Sequence, residues 1–202
     1  MIITVTSYKG GVGKTTSAVH IATYLQSLAP TLLVDGDAIR SATKWNKRGN
    51  GKGLPFKIVS YTQMVSHIRD YHHVVIDTEG NPTEDDFKDL ADNCDFLVVP
   101  AVPESTATDG LDETLRKLEK LQSRRHRVLL TMVPPKPRTE GQLLRAMLIE
   151  QAIPVFQTEI PRLAAFDKAS TAGVAVCDVK NDPNARRAWL AYEAAGKEII
   201  NG

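Results

Sequence analysis

Short apolar runs alternate with helix-period segments along almost the whole chain. Residues 2–7 ("IITVTS") read as a strand. Residues 15–28 read as a helix with Ala18, Ile21, Ala22 and Leu25 on one face. Further strands are expected at 31–35, 56–60, 72–77, 95–102, 127–133 and 154–160. Helices are expected at 63–71, 107–122, 140–151, 163–171 and 184–200. Leu111, Leu115, Leu118 and Leu121 form an apolar stripe on the second of these. The strands are nearly continuous runs of β-branched residues and leucine, which predicts a parallel sheet covered by helices on both faces. "KRGNGKGLP" (47–55) reads as a surface loop, and "PPKP" (134–137) as another.

Length and composition narrow the picture. The 202 residues are 42% hydrophobic and 24% charged, which fits one α/β domain spanning 1–202. A chain of this size buries about 70% of its unfolded surface and needs no disulfides. Cys94 and Cys177 form no CxxC pair and read as buried or semi-buried thiols of a reduced, cytoplasmic protein. The first residues read as a buried strand and not as a signal peptide, and no apolar run approaches the ~20 residues that cross a bilayer. A net charge of +1 excludes a globally basic nucleic-acid binder, so DNA binding would need a local patch.

The chemistry concentrates at "YKGGVGKTT" (8–16), between the first strand and the first helix. A glycine-rich turn there lets backbone N–H groups point at phosphate oxygens, and the helix N-terminus adds partial positive charge. Gly10, Gly11 and Gly13 permit close backbone approach around Val12. Lys14 reaches the β and γ phosphates, and Thr15 holds Mg²⁺. The usual phosphate-loop pattern has glycine where this chain has Tyr8, and it has no need of a lysine at position 9. Asp35 and Asp37 end one strand and Asp77 ends another, so a parallel sheet delivers all three carboxylates to the edge that carries the loop.

"KGGVGKTT" (9–16), "LLVDGDAIRSATKW" (32–45) and "VVIDTEGNP" (74–82), in this order and spacing, resemble the deviant Walker A ATPases of the ParA/MinD family. The likeness is greatest to small ParA-type proteins without an N-terminal DNA-binding domain. "DFLVVPAVPESTATDGLDETL" extends it, so that it covers nearly the whole chain. The resemblance implies a P-loop NTPase fold, ATP and Mg²⁺ as cofactors, and two ATP molecules sandwiched in a homodimer. In that arrangement Lys9 reaches the phosphates of the partner subunit's nucleotide. It further implies that Lys14 is the in-cis phosphate lysine and that Thr16 contacts the α-phosphate. Thr15, Asp35 and Asp77 would serve the metal, and Asp37 would position the attacking water. The base would lie against proline-rich segments after the late strands. Pro134 and Pro161 are the matching residues, and stopping strands at the sheet edge is an equally good account of them. Two departures stand out: Ala38 where the family usually has proline, and Glu79–Gly80 where it often has two prolines.

For function, the resemblance implies slow, partner-stimulated ATP hydrolysis by a nucleoid-associated protein. Such a protein grips double-stranded DNA non-specifically and distributes a cargo, either a plasmid or a protein organelle such as the carboxysome. Its partner is a cargo adaptor or a centromere-binding protein. Arg162, Lys168, Arg186 and Arg187 are the candidate phosphate contacts, and each reads equally well as a solvated charge. A membrane-associated regulator like MinD would need a basic amphipathic ending. "AGKEIING" has one lysine against one glutamate, so no membrane partner is expected. An iron–sulfur carrier would need paired cysteines. A metabolic P-loop enzyme of the same fold is the remaining alternative.

Overall fold

The computed structural model describes residues 1–104 and 108–202. Seven strands form one sheet: β1 (Ile2–Val5), β2 (Thr31–Asp35), β3 (Lys57–Ser60), β4 (His73–Asp77), β5 (Phe96–Ala101), β6 (His126–Val133) and β7 (Val155–Pro161). Their order is β3-β2-β4-β1-β5-β6-β7, and every pairing is parallel. The described helices are α1 (Lys14–Gln26), α2 (Ser41–Arg48), α3 (Met64–His67), α4 (Glu84–Asp92), α5 (Thr108–Lys120), α6 (Glu140–Glu150), α7 (Ala164–Ala172) and α8 (Ala185–Asn201). This is the helix-covered parallel sheet expected from the alternating pattern, and it agrees with the P-loop NTPase fold that the resemblance implies.

Side chains leave successive strand positions on opposite faces. Val98 and Leu129 join one core with α1, α2, α7 and α8, while Leu97, Val99, Val128 and Leu130 join the other with α4, α5 and α6. A helix covers each side of β1, so its interior residues are fully buried. α1 is expected to bury one face, yet every residue from Ser17 to Leu25 is buried. The reason is α8, which lies so close that a Cβ on Gly196 would fall 2.1 Å from the Tyr24 ring. Wholly buried Val19, Ile21 and Leu25 each contribute about 1.5–3 kcal/mol.

His20 sits in this seam, fully buried. Its ring stacks on Tyr192 at 4.8 Å and meets Trp45 and Phe166 edge-on. Nδ1 lies 2.7 Å from the Thr16 carbonyl, and the Val176 N–H donates to Nε2 at 3.0 Å. A carbonyl accepts and an amide donates, so the ring is the neutral Nδ1–H tautomer. Burial pulls its pKa from 6.5 to about 4. The unfolded chain therefore binds this proton more readily, and the His20 contribution is complete above pH 6.5 and lost as the pH falls toward 4. Asp77 titrates in the opposite sense, so the comparison should be made against His20→Gln. Between pH 7.5 and 4, wild type should lose about 3 kcal/mol relative to that variant in urea unfolding. A constant difference across this range would contradict the burial account.

Two helices are not legible in the apolar pattern. In α2 only Ala42 and Trp45 are buried, and in α4 only Phe87 and Ala91. The expected helix at 63–71 is instead a broken run, with α3 flanked by single 3₁₀ turns. Ala107, the expected start of the 107–122 helix, lies outside the described residues. Cys94 is buried, but Cys177 is exposed, contrary to expectation, because it falls in a 3₁₀ turn after α7. Among the described residues, no helix is long and apolar enough to cross a membrane.

Candidate functional site

Strand register assembles the site. Val5, the last residue of β1, is level with Asp77 on β4, and Asp77 is level with Asp35 on β2. The chain leaving β1 therefore turns beside the strand end that carries Asp77, with Asp35 level one strand further out. Gly13 (φ 86°) makes the left-handed step into α1, a conformation that costs glycine little. The Thr131 hydroxyl on β6 holds the Val12 carbonyl at 2.8 Å, and Val12 is buried against Val102 and Met132. Gly10 and Gly11 are exposed on the outside of the turn, and Thr15 and Thr16 are half-buried at the start of α1.

Tyr8 belongs to the core and not to the phosphate-facing surface. Its ring is 5.0 Å from that of Phe87, with the Lys117 ammonium 4.0 Å above it. Its N–H donates to the Thr114 hydroxyl at 3.1 Å, which donates in turn to the Gly110 carbonyl at 2.7 Å. The substitution for glycine thus ties the front of the loop to α4 and α5. The next residue, Lys9, is half-buried where α5 begins. A Cβ on Gly110 would lie 2.7 Å from Lys9 Cβ and 3.3 Å from its Cα, so the bare glycine seats the Lys9 backbone.

The Lys14 side chain is buried at 9% exposure. Its ammonium donates to the carbonyls of Lys9 (2.9 Å) and Ser7 (3.4 Å). Burial lowers its pKa, against the opposing pull of Asp77 and Asp37. Gly80 lies over it, with an added Cβ only 3.1 Å from Nζ. The Glu79–Gly80 departure therefore lets the segment after β4 rest on the lysine.

Asp77 is fully buried, and neither carboxylate oxygen has a hydrogen-bond partner. Burial raises its pKa to about 7. Asp35 and Asp37 push it the same way, while the Thr15 hydroxyl, near but outside hydrogen-bond geometry, and Lys14 push it down. Asp35 is 1% exposed: its Oδ2 accepts from the Thr43 N–H (2.8 Å) and hydroxyl (2.5 Å), with Arg40 Nε at 3.6 Å, while Oδ1 has no partner. Asp37 is half-buried and accepts from the Ile39 N–H (3.1 Å) and the Ser41 hydroxyl (2.8 Å). Ala38 is exposed, and these two bonds fix the turn without a proline. Orphaned carboxylate oxygens beside a threonine hydroxyl make an all-oxygen donor set, which fits a small hard cation such as Mg²⁺. Among the described residues no three His, Cys, Asp or Glu form a cage. Any such ion must therefore share its coordination with water and phosphate, as Mg²⁺ does.

The sequence matches the CobQ/CobB/MinD/ParA nucleotide binding domain over residues 3–176. The chain belongs to that family. It is an ATPase of the ParA/MinD type. It is 32% identical to the maintenance of carboxysome distribution protein A of Gloeobacter kilaueensis, over 98% of this chain and 93% of that protein. It is 27% identical to a protein ParA of Rhizobium radiobacter, over 82% and 80% of the two chains. The fold is shared with a putative plasmid partition protein of Borrelia burgdorferi B31 bound to AMPPNP, at a TM-score of 0.71, 20% identity and coverage of 99% and 98%.

For this ParA/MinD-type chain, the remaining candidates fall on the far half of the sheet. Pro134 and Pro161 line one cleft of about 370 Å³ beyond β6 and β7, together with Arg162 and Arg187. Arg162 is ion-paired with Glu104, and Lys168 with Asp182 at 2.7 Å. Arg186 and Arg187 are exposed on α8. Arg162 and Arg187 thus share the cleft with the two prolines, and Lys168 and Arg186 do not line it. Ser41, Thr43 and Gly110 touch these candidates and were missed by sequence reasoning, and Gly80 was noted there only as a departure from the family. The hydroxyls of the first two, spaced along the helix after "DGD", are the one available signal.

Proposed function

We propose that this protein is a positioning ATPase. It closes as a homodimer around two ATP molecules, grips nucleoid DNA without sequence preference and distributes a cargo, a plasmid or a protein organelle such as the carboxysome. A partner on the cargo stimulates its slow hydrolysis. The observation that carries this reading is the seating of Lys9: a second lysine held by backbone packing at the rim of a phosphate loop that already contains Lys14. ATP carries about four negative charges, more than one lysine neutralises, and a lysine supplied by the partner subunit makes dimerisation report the γ-phosphate.

In this reading Gly10 to Thr16 wrap the phosphates, with Lys14 turning from its two carbonyl partners to the β and γ oxygens. Thr15, Asp35 and Asp77 hold Mg²⁺, which when bound neutralises phosphate charge. Asp37 orients the attacking water, and Pro134 and Pro161 flank the base. Arg162, Lys168, Arg186 and Arg187 supply the DNA phosphate contacts, Arg162 and Lys168 after giving up their carboxylates.

Sedimentation velocity of the Asp37→Ala protein with ATP–Mg²⁺ tests the dimer. It should dimerise with ATP and stay monomeric with ADP. Adding Lys9→Ala, or Gly110→Ala to dislodge the Lys9 backbone, should weaken dimerisation at least ~10-fold while leaving nucleotide binding by the monomer intact. Full ATP-dependent dimerisation of the Lys9→Ala form would refute the role in trans.

A further inference from the structure

The two aspartates of "DGD" are each held by a hydroxyl from the first turn of one helix. Ser41 donates to Asp37 Oδ2, and Thr43 donates twice to Asp35 Oδ2, through its backbone and its side chain. Arg40, which precedes α2, makes no side-chain cap, so Asp35 satisfies an N–H that the helix start would otherwise leave unpaired. Asp35 is thus fixed by one oxygen and left with the other unpartnered. The far part of α2 is tied down as well. Trp45 Nε1 donates to the Val174 carbonyl at 3.0 Å, and Arg48 reaches the Ser170 carbonyl (2.5 Å) and hydroxyl (2.8 Å) at the end of α7. α2 therefore runs from the two acids to a rigid anchor.

We propose that Thr43 is the positioning residue that aims Asp35 at the metal, and that Ser41 separately positions Asp37 for hydrolysis. This rests on the metal and water roles proposed above for the two aspartates. Each hydroxyl is spent on its carboxylate and acts through it. Partners of this kind set the orientation and basicity of a metal-binding group, and losing one typically costs 10–100-fold in metal affinity. Because different hydroxyls hold the two acids, the two effects should separate: Thr43 governs metal dependence and Ser41 governs turnover.

The test is titration of Mg²⁺ against a fluorescent ATP analogue in the full chain, read as binding and not as activity. Thr43→Val, which keeps the side-chain shape and the backbone N–H, should raise the half-saturating Mg²⁺ concentration about tenfold and leave metal-free nucleotide binding unchanged. Thr43→Ser should restore the wild-type midpoint. Ser41→Ala should keep that midpoint and lower kcat. A wild-type midpoint in Thr43→Val alongside a shifted one in Asp35→Asn would overturn the positioning role while sparing the metal site. An unshifted midpoint in Asp35→Asn would remove the metal role of Asp35 and the inference with it. A Thr43→Ser protein as impaired as Thr43→Val, or equal loss of nucleotide binding without metal, would show that the residue only supports the fold.

Discussion

Replacing Lys14 by methionine should weaken ATP and ADP binding at least 100-fold and leave the folded protein intact. The Lys14 ammonium is buried, and the Lys9 and Ser7 carbonyl oxygens accept from it there. Removing one partner of a buried charge pair costs about 3–5 kcal/mol, or roughly two to four decades in affinity. Against this, burial already lowers the Lys14 pKa, so the cation is a burden on the nucleotide-free protein. An apolar, unbranched chain one atom shorter fills most of the space without that cost. Isothermal titration should therefore show lost nucleotide binding, and thermal unfolding without nucleotide should show no loss of Tm. Unchanged ATP affinity would take Lys14 out of the site.

The second large effect is at Asp77, where stability and function should move in opposite directions. With metal removed by EDTA, Asp77→Asn should be more stable than wild type at pH 8, because a buried carboxylate without partners has been replaced by a neutral amide. The sign follows from its raised pKa. From the unfolded value of 3.8 to about 7, the unfolded chain loses the proton first, so wild type weakens as pH rises through this window. The gap between the two proteins should open across that range to a few kcal/mol. ATP turnover of the same variant should fall at least ~100-fold, because the residue proposed to hold Mg²⁺ is lost. A lower Tm for Asp77→Asn at pH 8 in EDTA would mean that Asp77 is a structural acid and not a metal ligand in waiting.

The sequence exposed the candidate phosphate loop and the two acid-bearing strand ends to one side of it because their chemistry is local. Glycines, lysine and threonine at fixed spacing define the loop, and each aspartate marks where an apolar strand stops. The parallel sheet was legible for a similar reason, since its strands are buried on both faces and read as continuous apolar runs. α2 and α4 were not, because each packs only two buried side chains and carries charge elsewhere. α4 does hold a signal of another kind: Thr83 caps it by accepting from the Asp86 N–H, and three acids fill its first turn. The purpose of Tyr8 and Gly110 was also invisible. Their meaning lies in contacts between residues about a hundred positions apart, which no local pattern encodes.

The measurement that most directly tests the positioning reading is binding to random-sequence duplex DNA without nucleotide, with ADP and with ATP–Mg²⁺, each at two salt concentrations. The account predicts binding only with ATP–Mg²⁺, falling steeply as salt rises because the contacts are to phosphates. Absence of binding in every nucleotide state would contradict it, leaving an ATPase whose work lies elsewhere than on the nucleoid.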